Sequence, residues 1–349
     1  MSKKHLSPIL FLILVILLIT LVIIASSVGA ADIDPLDSLR IILSKIPYIG
    51  RLIDVSAISG TDFTIVLLVR LPRVLLSGLV GCGLAMSGAV LQGVLRNPLA
   101  DPQVLGISSG AAFGAAVAIA FGLSFSVLGI GGIAFFAFLG ALLTILVVWR
   151  ISFHGGKEPV VGILLAGIAV SSLLTAAITM IMVMDRDRLE MVYLWMLGSF
   201  SAASYLKAGF LFITVTGVFL LILPSFFSLD VLATGDDSAE SLGIDARKLR
   251  RKMIILSSLA VAASVCVSGI IGFVGLIVPH IIRLLAGSRS RRLVPLSCIA
   301  GAIFMILCDT LARTIAAPAE IPVGAITAII GAPFFLFLLW RSRGKGVGV

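Results

Sequence analysis

The side chains able to do chemistry in this 349-residue sequence are few, and most sit where apolar runs begin or end. Arg70-Leu71-Pro72-Arg73 sets two guanidiniums three positions apart ahead of a long uncharged run, with Pro72 suited to a first helical turn. Such arginines project into the water at a helix mouth, where they either snorkel at an interface or meet a partner. Asp309 and Arg313, four residues apart near the end of another run, share a helix face and predict a local ion pair. Glu320 stands just before Ile321-Pro322, near a helix N-terminus that favours a carboxylate. His280, after Pro279, reads as a packed or capping histidine.

Two further segments carry information. Asn97-Pro98-Leu99-Ala100-Asp101-Pro102 holds two prolines four apart, which predicts a rigid, non-helical turn. In Asp236-Asp237-Ser238-Ala239-Glu240-Ser241-Leu242-Gly243, Asp237 and Glu240 have capping-box spacing and Gly243 suits a helix C-terminus. Asp245 is placed to cap a second short helix running into Arg247–Lys252. A pair of short surface helices of this kind is a docking element for a soluble partner.

Other chemistries are missing. There is no GxxxxGK[ST] phosphate loop, because Gly156-Lys157 is followed by Glu158 and Gly344-Lys345 by Gly346, so ATP is not bound in that way. HExxH does not occur, which argues against a zinc hydrolase working inside a membrane. Runs almost free of Asp, Glu and His disfavour a proton-driven carrier. Cys82, Cys266, Cys298 and Cys308 lie inside apolar runs without CxxC or CxxH spacing, which predicts packing residues. No catalytic residue, metal site or cofactor is expected.

The elements that must position these groups are set by composition. Hydrophobic residues make up 60% of the chain and charged residues 12%, against roughly 25% charged in a typical soluble domain. A soluble fold and a disordered chain are both excluded, leaving a multi-pass, all-α membrane protein. The net charge of +9 does not point to nucleic acid, because Lys and Arg cluster between apolar runs, as the positive-inside rule produces. Uncharged stretches predict ten membrane helices at about 9–25, 74–95, 104–121, 127–149, 160–184, 208–227, 253–268, 270–282, 294–312 and 323–340. The stretch 253–282 is divided at Ser268, Gly269 and Gly272, which places the basic clusters Arg247–Lys252 and Arg283–Arg292 on one side. Most loop Lys and Arg then fall inside, with the N- and C-termini cytoplasmic. Met1–Ala30 also resembles a cleavable leader ending Val28-Gly29-Ala30, but a retained signal-anchor is the favoured reading. Gly81, Ala85, Ala89 and Gly93, and likewise Gly106, Gly110, Gly114 and Ala118, recur every fourth residue and predict close helix packing.

From Arg70 to Arg341 the chain resembles the iron-chelate and cobalamin uptake permeases, the FecCD-type membrane subunits of type II ABC importers. The resemblance rests on RLPR, SGAVLQGVLRNPLADPQVLGISSGA, LLAGIAVSS, YLWMLGSF, SAESLGIDARKLR, SGIIGFVGLIVPHIIRL and AEIPVGAITAIIGAPFFLFLL, in that order. It implies one transmembrane permease domain over 1–349, in a prokaryotic cytoplasmic membrane. Residues 26–73 are then an outer segment and the entry to the second helix, and 228–252 a cytoplasmic coupling loop.

The same resemblance implies an import channel between two permease subunits, with a homodimer expected. Two cytoplasmic ATP-binding subunits would sit beneath it and an extracytoplasmic substrate-binding protein above. Carried over by position, Arg70, Arg73 and Arg313 match arginines that dock the binding protein. Asn97 and Leu99 match one part of a cytoplasmic gate, and Val160 and Val161 a second part, where the family pattern has small hydroxyl residues. Ala239, Glu240, Leu242 and Gly243 match the ATPase coupling segment. Spans five and ten, with the short segment 186–196, would line a path for a metal chelate such as an iron(III)-siderophore, haem or cobalamin.

Overall fold

A computed structural model describes residues 3–56, 58–123, 125–127, 130–152 and 160–343. The chain is a succession of helices. It opens with α1 (Lys3–Ser27), α2 (Pro35–Ser44) and a short α3 (Gly60–Thr64) that runs through a π-turn (Ile65–Arg70) into α4 (Leu71–Val94). Next come α5 (Ile107–Ala120), α6 (Gly132–Ser152), α7 (Val160–Met184), α8 (Leu189–Leu197), α9 (Tyr205–Ile222), α10 (Phe226–Leu232) and α11 (Asp236–Ser241). The last four are α12 (Ala246–Ser268), α13 (Val274–Ala286), α14 (Ser290–Thr314) and α15 (Val323–Arg343). A two-residue antiparallel ladder, Ser126 with Gly131 and Val127 with Ile130, precedes α6.

Among the described residues, seven helical segments are long and apolar enough to cross a membrane, and three shorter apolar helices accompany them. The short ones are Ile107–Ala120, Val274–Ala286 and Val323–Leu338. The expected break in 253–282 is present: α12 stops at Ser268, Gly269 takes φ 73°, and Phe273 takes φ 68° before α13 begins.

The start of the second span differs from expectation. Instead of beginning at Pro72, the helix is continuous over Gly60–Val94. Proline has no N–H to give and crowds the carbonyl four residues back. The chain meets this with the π-turn just before it, where the Leu71 N–H reaches back five residues to the Val66 carbonyl. The Tyr205 hydroxyl donates to the Leu67 carbonyl at 2.5 Å, tying α9 to this turn.

Helix α4 is the axis of the bundle, with 83% of its apolar window buried and α14, α12, α13 and α9 packed around it. A Cβ at Gly81 would fall on the Gly301 carbonyl and one at Gly301 on the Gly81 carbonyl, so α4 and α14 touch backbone to backbone. Gly110 on α5 and Gly140 on α6 do the same. These approaches gain dispersion contact where lipid supplies no hydrophobic drive. Two members of the expected stripes play other parts. Gly93 faces open space, and Gly106 is the left-handed residue (φ 81°) between the 3-10 turn Pro102–Leu105 and α5.

Candidate functional sites at the two ends of the bundle

At the end of the bundle where α1 finishes, three arginines converge. Arg73, in the first turn of α4, donates from Nε and Nη2 to Asp309 of α14 at 3.0 and 2.9 Å, and from Nη1 to Glu320 Oε1 at 2.6 Å. Asp309 is only 1% exposed, whereas the Glu320 side chain is 42% exposed. Arg313 lies 3.8 Å from Asp309 and donates to the carbonyls of Ala25 and, at 2.7 Å, Val28. Arg70 donates to the carbonyls of Ser26, Ser27 and Ala31. The last four carbonyls of a helix have no partner inside it and carry the negative end of its dipole. Two guanidiniums therefore close the C-terminus of α1, while the third clamps α14 to α4 and to the turn before α15.

This arrangement corrects one expectation and adds to another, the Asp309–Arg313 pair being present at 3.8 Å. Arg70, Arg73 and Arg313 do not project into water, being 5%, 9% and 9% exposed: the end of α1 covers Arg70 and Arg313, and Arg73 turns onto Asp309 and Glu320. The pairing of Asp309 with Arg313 along one helix is the weaker contact, and the two-nitrogen fork from Arg73 is the stronger.

At the opposite end of α4, Asn97 Oδ1 accepts from the Leu99 N–H at 2.9 Å, and the Ala100 N–H bonds the Asn97 carbonyl at 3.1 Å. The expected rigid turn is thus an Asx-turn. Asn97 is exposed and Leu99 half-buried. Asp101 follows, accepting from the Gln103 and Phe273 amides; burial nevertheless raises its carboxyl pKa above the usual range. Val160 and Val161 begin α7, which packs beside the turn Pro102–Leu105, but their side chains lie outside the described residues, as do Gly156-Lys157 and Gly344-Lys345.

On the same side, α11 ends as the sequence predicts. Gly243 takes φ 75°, its N–H bonds the Glu240 carbonyl at 2.9 Å, and the Ile244 N–H bonds the Ala239 carbonyl at 2.9 Å, a Schellman closure. Ala239 is buried, while Glu240, Gly243 and Leu242, the last 62% exposed, face outward. The expected capping box is absent: Gly235 is the N-cap, and Asp236 and Asp237 lie in the first turn. The Asp245 carboxylate does cap a helix, accepting from the Lys248 N–H at 3.0 Å, and that contact lowers its pKa. The capped element is α12 itself rather than a separate short helix.

Sequence reasoning missed two polar ties. Asp236 holds both Arg96, at 3.3 Å, and Arg250, at 2.8 Å, pinning α11 to the ends of α4 and α12. Gln92, 3% exposed, donates to the Gly275 carbonyl at 3.1 Å and accepts from Arg283 at 2.7 Å, joining α4 to α13. A lone amide in an otherwise apolar helix was the available signal for the second.

The expected path-lining elements also meet. The Val323 N–H at the start of α15 bonds the Gly198 carbonyl just after α8 at 3.1 Å. Helix α7 has only 17% of its apolar window buried, so one long face is free for lipid or another chain. His280 packs its ring edge-on to Phe334 at 6.2 Å.

A model of the FecCD transport family matches residues 16–341. The hemin transport system permease protein HmuU of Yersinia pestis is 40% identical over 283 residues, 80% of this chain and 84% of that protein. The cobalamin import system permease protein BtuC of Halobacterium salinarum is 41% identical over 277 residues, 79% of this chain and 73% of that one. Among solved structures, one described as an inward-facing metal-chelate type ABC transporter superposes with a TM-score of 0.81 at 33% identity, covering 96% of this chain and 99% of that one.

Proposed function

The chain belongs to the FecCD transport family, and from that premise we propose that it is the membrane permease of an ATP-binding-cassette importer for a metal chelate of the iron(III)-siderophore, haem or cobalamin class. The observation that carries this reading is the likeness to a metal-chelate type transporter over 96% of the chain at 33% identity. In this reading the whole of 1–349 is one permease domain of the cytoplasmic membrane. The seven long and three short apolar helices supply its ten spans, and both termini are cytoplasmic. Two copies pair across the exposed face of α7, and α7, α8 and α15 line the path between them.

The arginine end faces the substrate-binding protein. Arg70, Arg73 and Arg313 are the cations here that an acidic surface of that protein would meet, a pairing that fixes register more than it adds affinity. Glu320, the exposed partner of Arg73, is the contact that an incoming carboxylate would replace. The opposite end meets two ATP-binding subunits. Glu240, Leu242 and Gly243 present the docking edge, with Ala239 seated beneath it. Because Asp236 grips Arg96 and Arg250, a push on α11 passes directly into α4 and α12. The turn at Asn97 and Leu99, with Val160 and Val161 at the start of α7, forms the cytoplasmic gate that such a push opens and closes.

The test is reconstitution of the chain with its ATP-binding subunit and binding protein in proteoliposomes. Chelate uptake is expected only with ATP, and its encounter step should slow as salt is raised. Uptake without the ATP-binding subunit, driven by an ion gradient alone, would overturn the reading.

A further inference from the structure

A second cavity-forming region lies at the α1-exit end of the bundle and shares no residue with the arginine cluster. Lys207 stands two residues beyond Tyr205, whose hydroxyl reaches the π-turn beside Arg70, which fixes the end of the bundle concerned. Here the ends of α5 and α12, the beginnings of α6 and α9, and one face of α8 enclose a half-open cavity of about 990 Å3. That is at the upper end of the ~300–1,000 Å3 typical of small-molecule sites.

Its walls are mainly apolar, with Leu123, Met191, Trp195 and Val267 among them. Two cations, Arg188 and Lys207, line it, and no Asp or Glu does. Arg188 is partly committed: it closes the C-terminus of α5 by donating to the carbonyls of Ile119 and Ala120, and pairs with Asp185 at 3.5 Å. Lys207 is half-buried and gives one hydrogen bond, to the Ala202 carbonyl at 2.7 Å, from an ammonium with three donors. Among the described residues no carboxylate pairs with it. A cation held in an apolar cleft without a counter-charge is costly, and an anion entering the cleft removes that cost.

We propose that this cavity is a binding site for an anionic phospholipid of the adjoining leaflet, its phosphate at Lys207 and Arg188 and its acyl chain against Leu123, Met191, Trp195 and Val267. Lys207 and Arg188 offer charged donors to a phosphate, and the apolar wall selects a lipid over a free anion. The occupant rests against Met191, Leu194 and Trp195 of α8, the helix whose end holds the first turn of α15. The proposal does not depend on the transport reading.

The full chain, purified in detergent and exchanged into vesicles of phosphatidylglycerol, phosphatidylcholine or mixtures, provides the test. Native mass spectrometry after partial delipidation is expected to show phosphatidylglycerol retained in preference to phosphatidylcholine, with a matching gain in thermal stability. Lys207→Gln should lower that preference about fivefold, the effect of one basic residue near an anionic surface. Lys207→Arg should restore it, and Leu123→Trp, which fills the apolar part and leaves both cations, should lower retention of either lipid. Retention unchanged in both Lys207→Gln and Leu123→Trp would overturn the site. Equal protection by inorganic phosphate without lipid, insensitive to Leu123→Trp, would overturn its assignment to a lipid.

Discussion

Arg73 turns all three of its nitrogens inside the fold, two onto Asp309 and one onto Glu320. Removing one partner of a buried pair strands the other charge, which typically costs about 3–5 kcal/mol, whereas an exposed pair is worth about 1 kcal/mol or less. Asp309→Ala should therefore destabilise the purified chain by about 3–5 kcal/mol in unfolding experiments. Glu320→Gln should change it by under about 1 kcal/mol, and replacing Arg73 and Asp309 together with Met and Leu should recover much of the loss. Equal effects of Asp309→Ala and Glu320→Gln would show that the pair does not act as a buried unit. The sequence displayed Asp309 with Arg313 because they lie four apart, but it concealed Arg73, whose partner is 236 residues away. It concealed the capping of α1 more completely, since Arg70 and Arg313 bind backbone carbonyls that every residue type carries.

Elements were legible in the sequence where their ends have dedicated chemistry. Gly243 announced the close of α11, Asp245 the start of α12, and Ser268 with Gly269 the break before α13. The π-turn was hidden because Pro72 looks like a beginning; only the continuous helix around it shows the proline being absorbed. The clamp at Asp236 was hidden for a similar reason, as acidic residues at a helix start already have a local explanation in the dipole. In the proposed mechanism the clamp lets α11 act as a lever. Asp236→Ala should leave the ATP-binding subunit bound and hydrolysing ATP, while transport per ATP falls severalfold. Leu242→Asp, by placing a charge on the exposed edge proposed to meet that subunit, should weaken assembly itself. Co-purification together with paired hydrolysis and uptake assays separates the two. If Asp236→Ala couples normally, motion does not pass through that contact.

Across the whole molecule, the scarcity of charge acquires a pattern: one end carries the basic runs Arg247–Lys252 and Arg289–Arg292, and the other commits Arg70, Arg73 and Arg313 to a helix end and to Asp309 and Glu320. Basic residues in short loops near helix ends are retained on the cytoplasmic side during insertion. In the proposed orientation the end carrying α11 is the cytoplasmic one, and the segment between α1 and α3 lies outside. Leu52, 84% exposed in that segment, and Leu242, 62% exposed beside α11, report on the two sides. With Cys82, Cys266, Cys298 and Cys308 replaced by Ala, Leu52→Cys should react with a membrane-impermeant thiol reagent in cells stripped of any outer barrier, and Leu242→Cys only in inverted vesicles. Labelling of Leu242→Cys from outside would reverse the orientation and, with it, the assignment of the two docking ends. It would leave the helix packing intact, because the backbone contact of Gly81 with Gly301 and the fork from Arg73 to Asp309 do not depend on which way the bundle sits in the membrane.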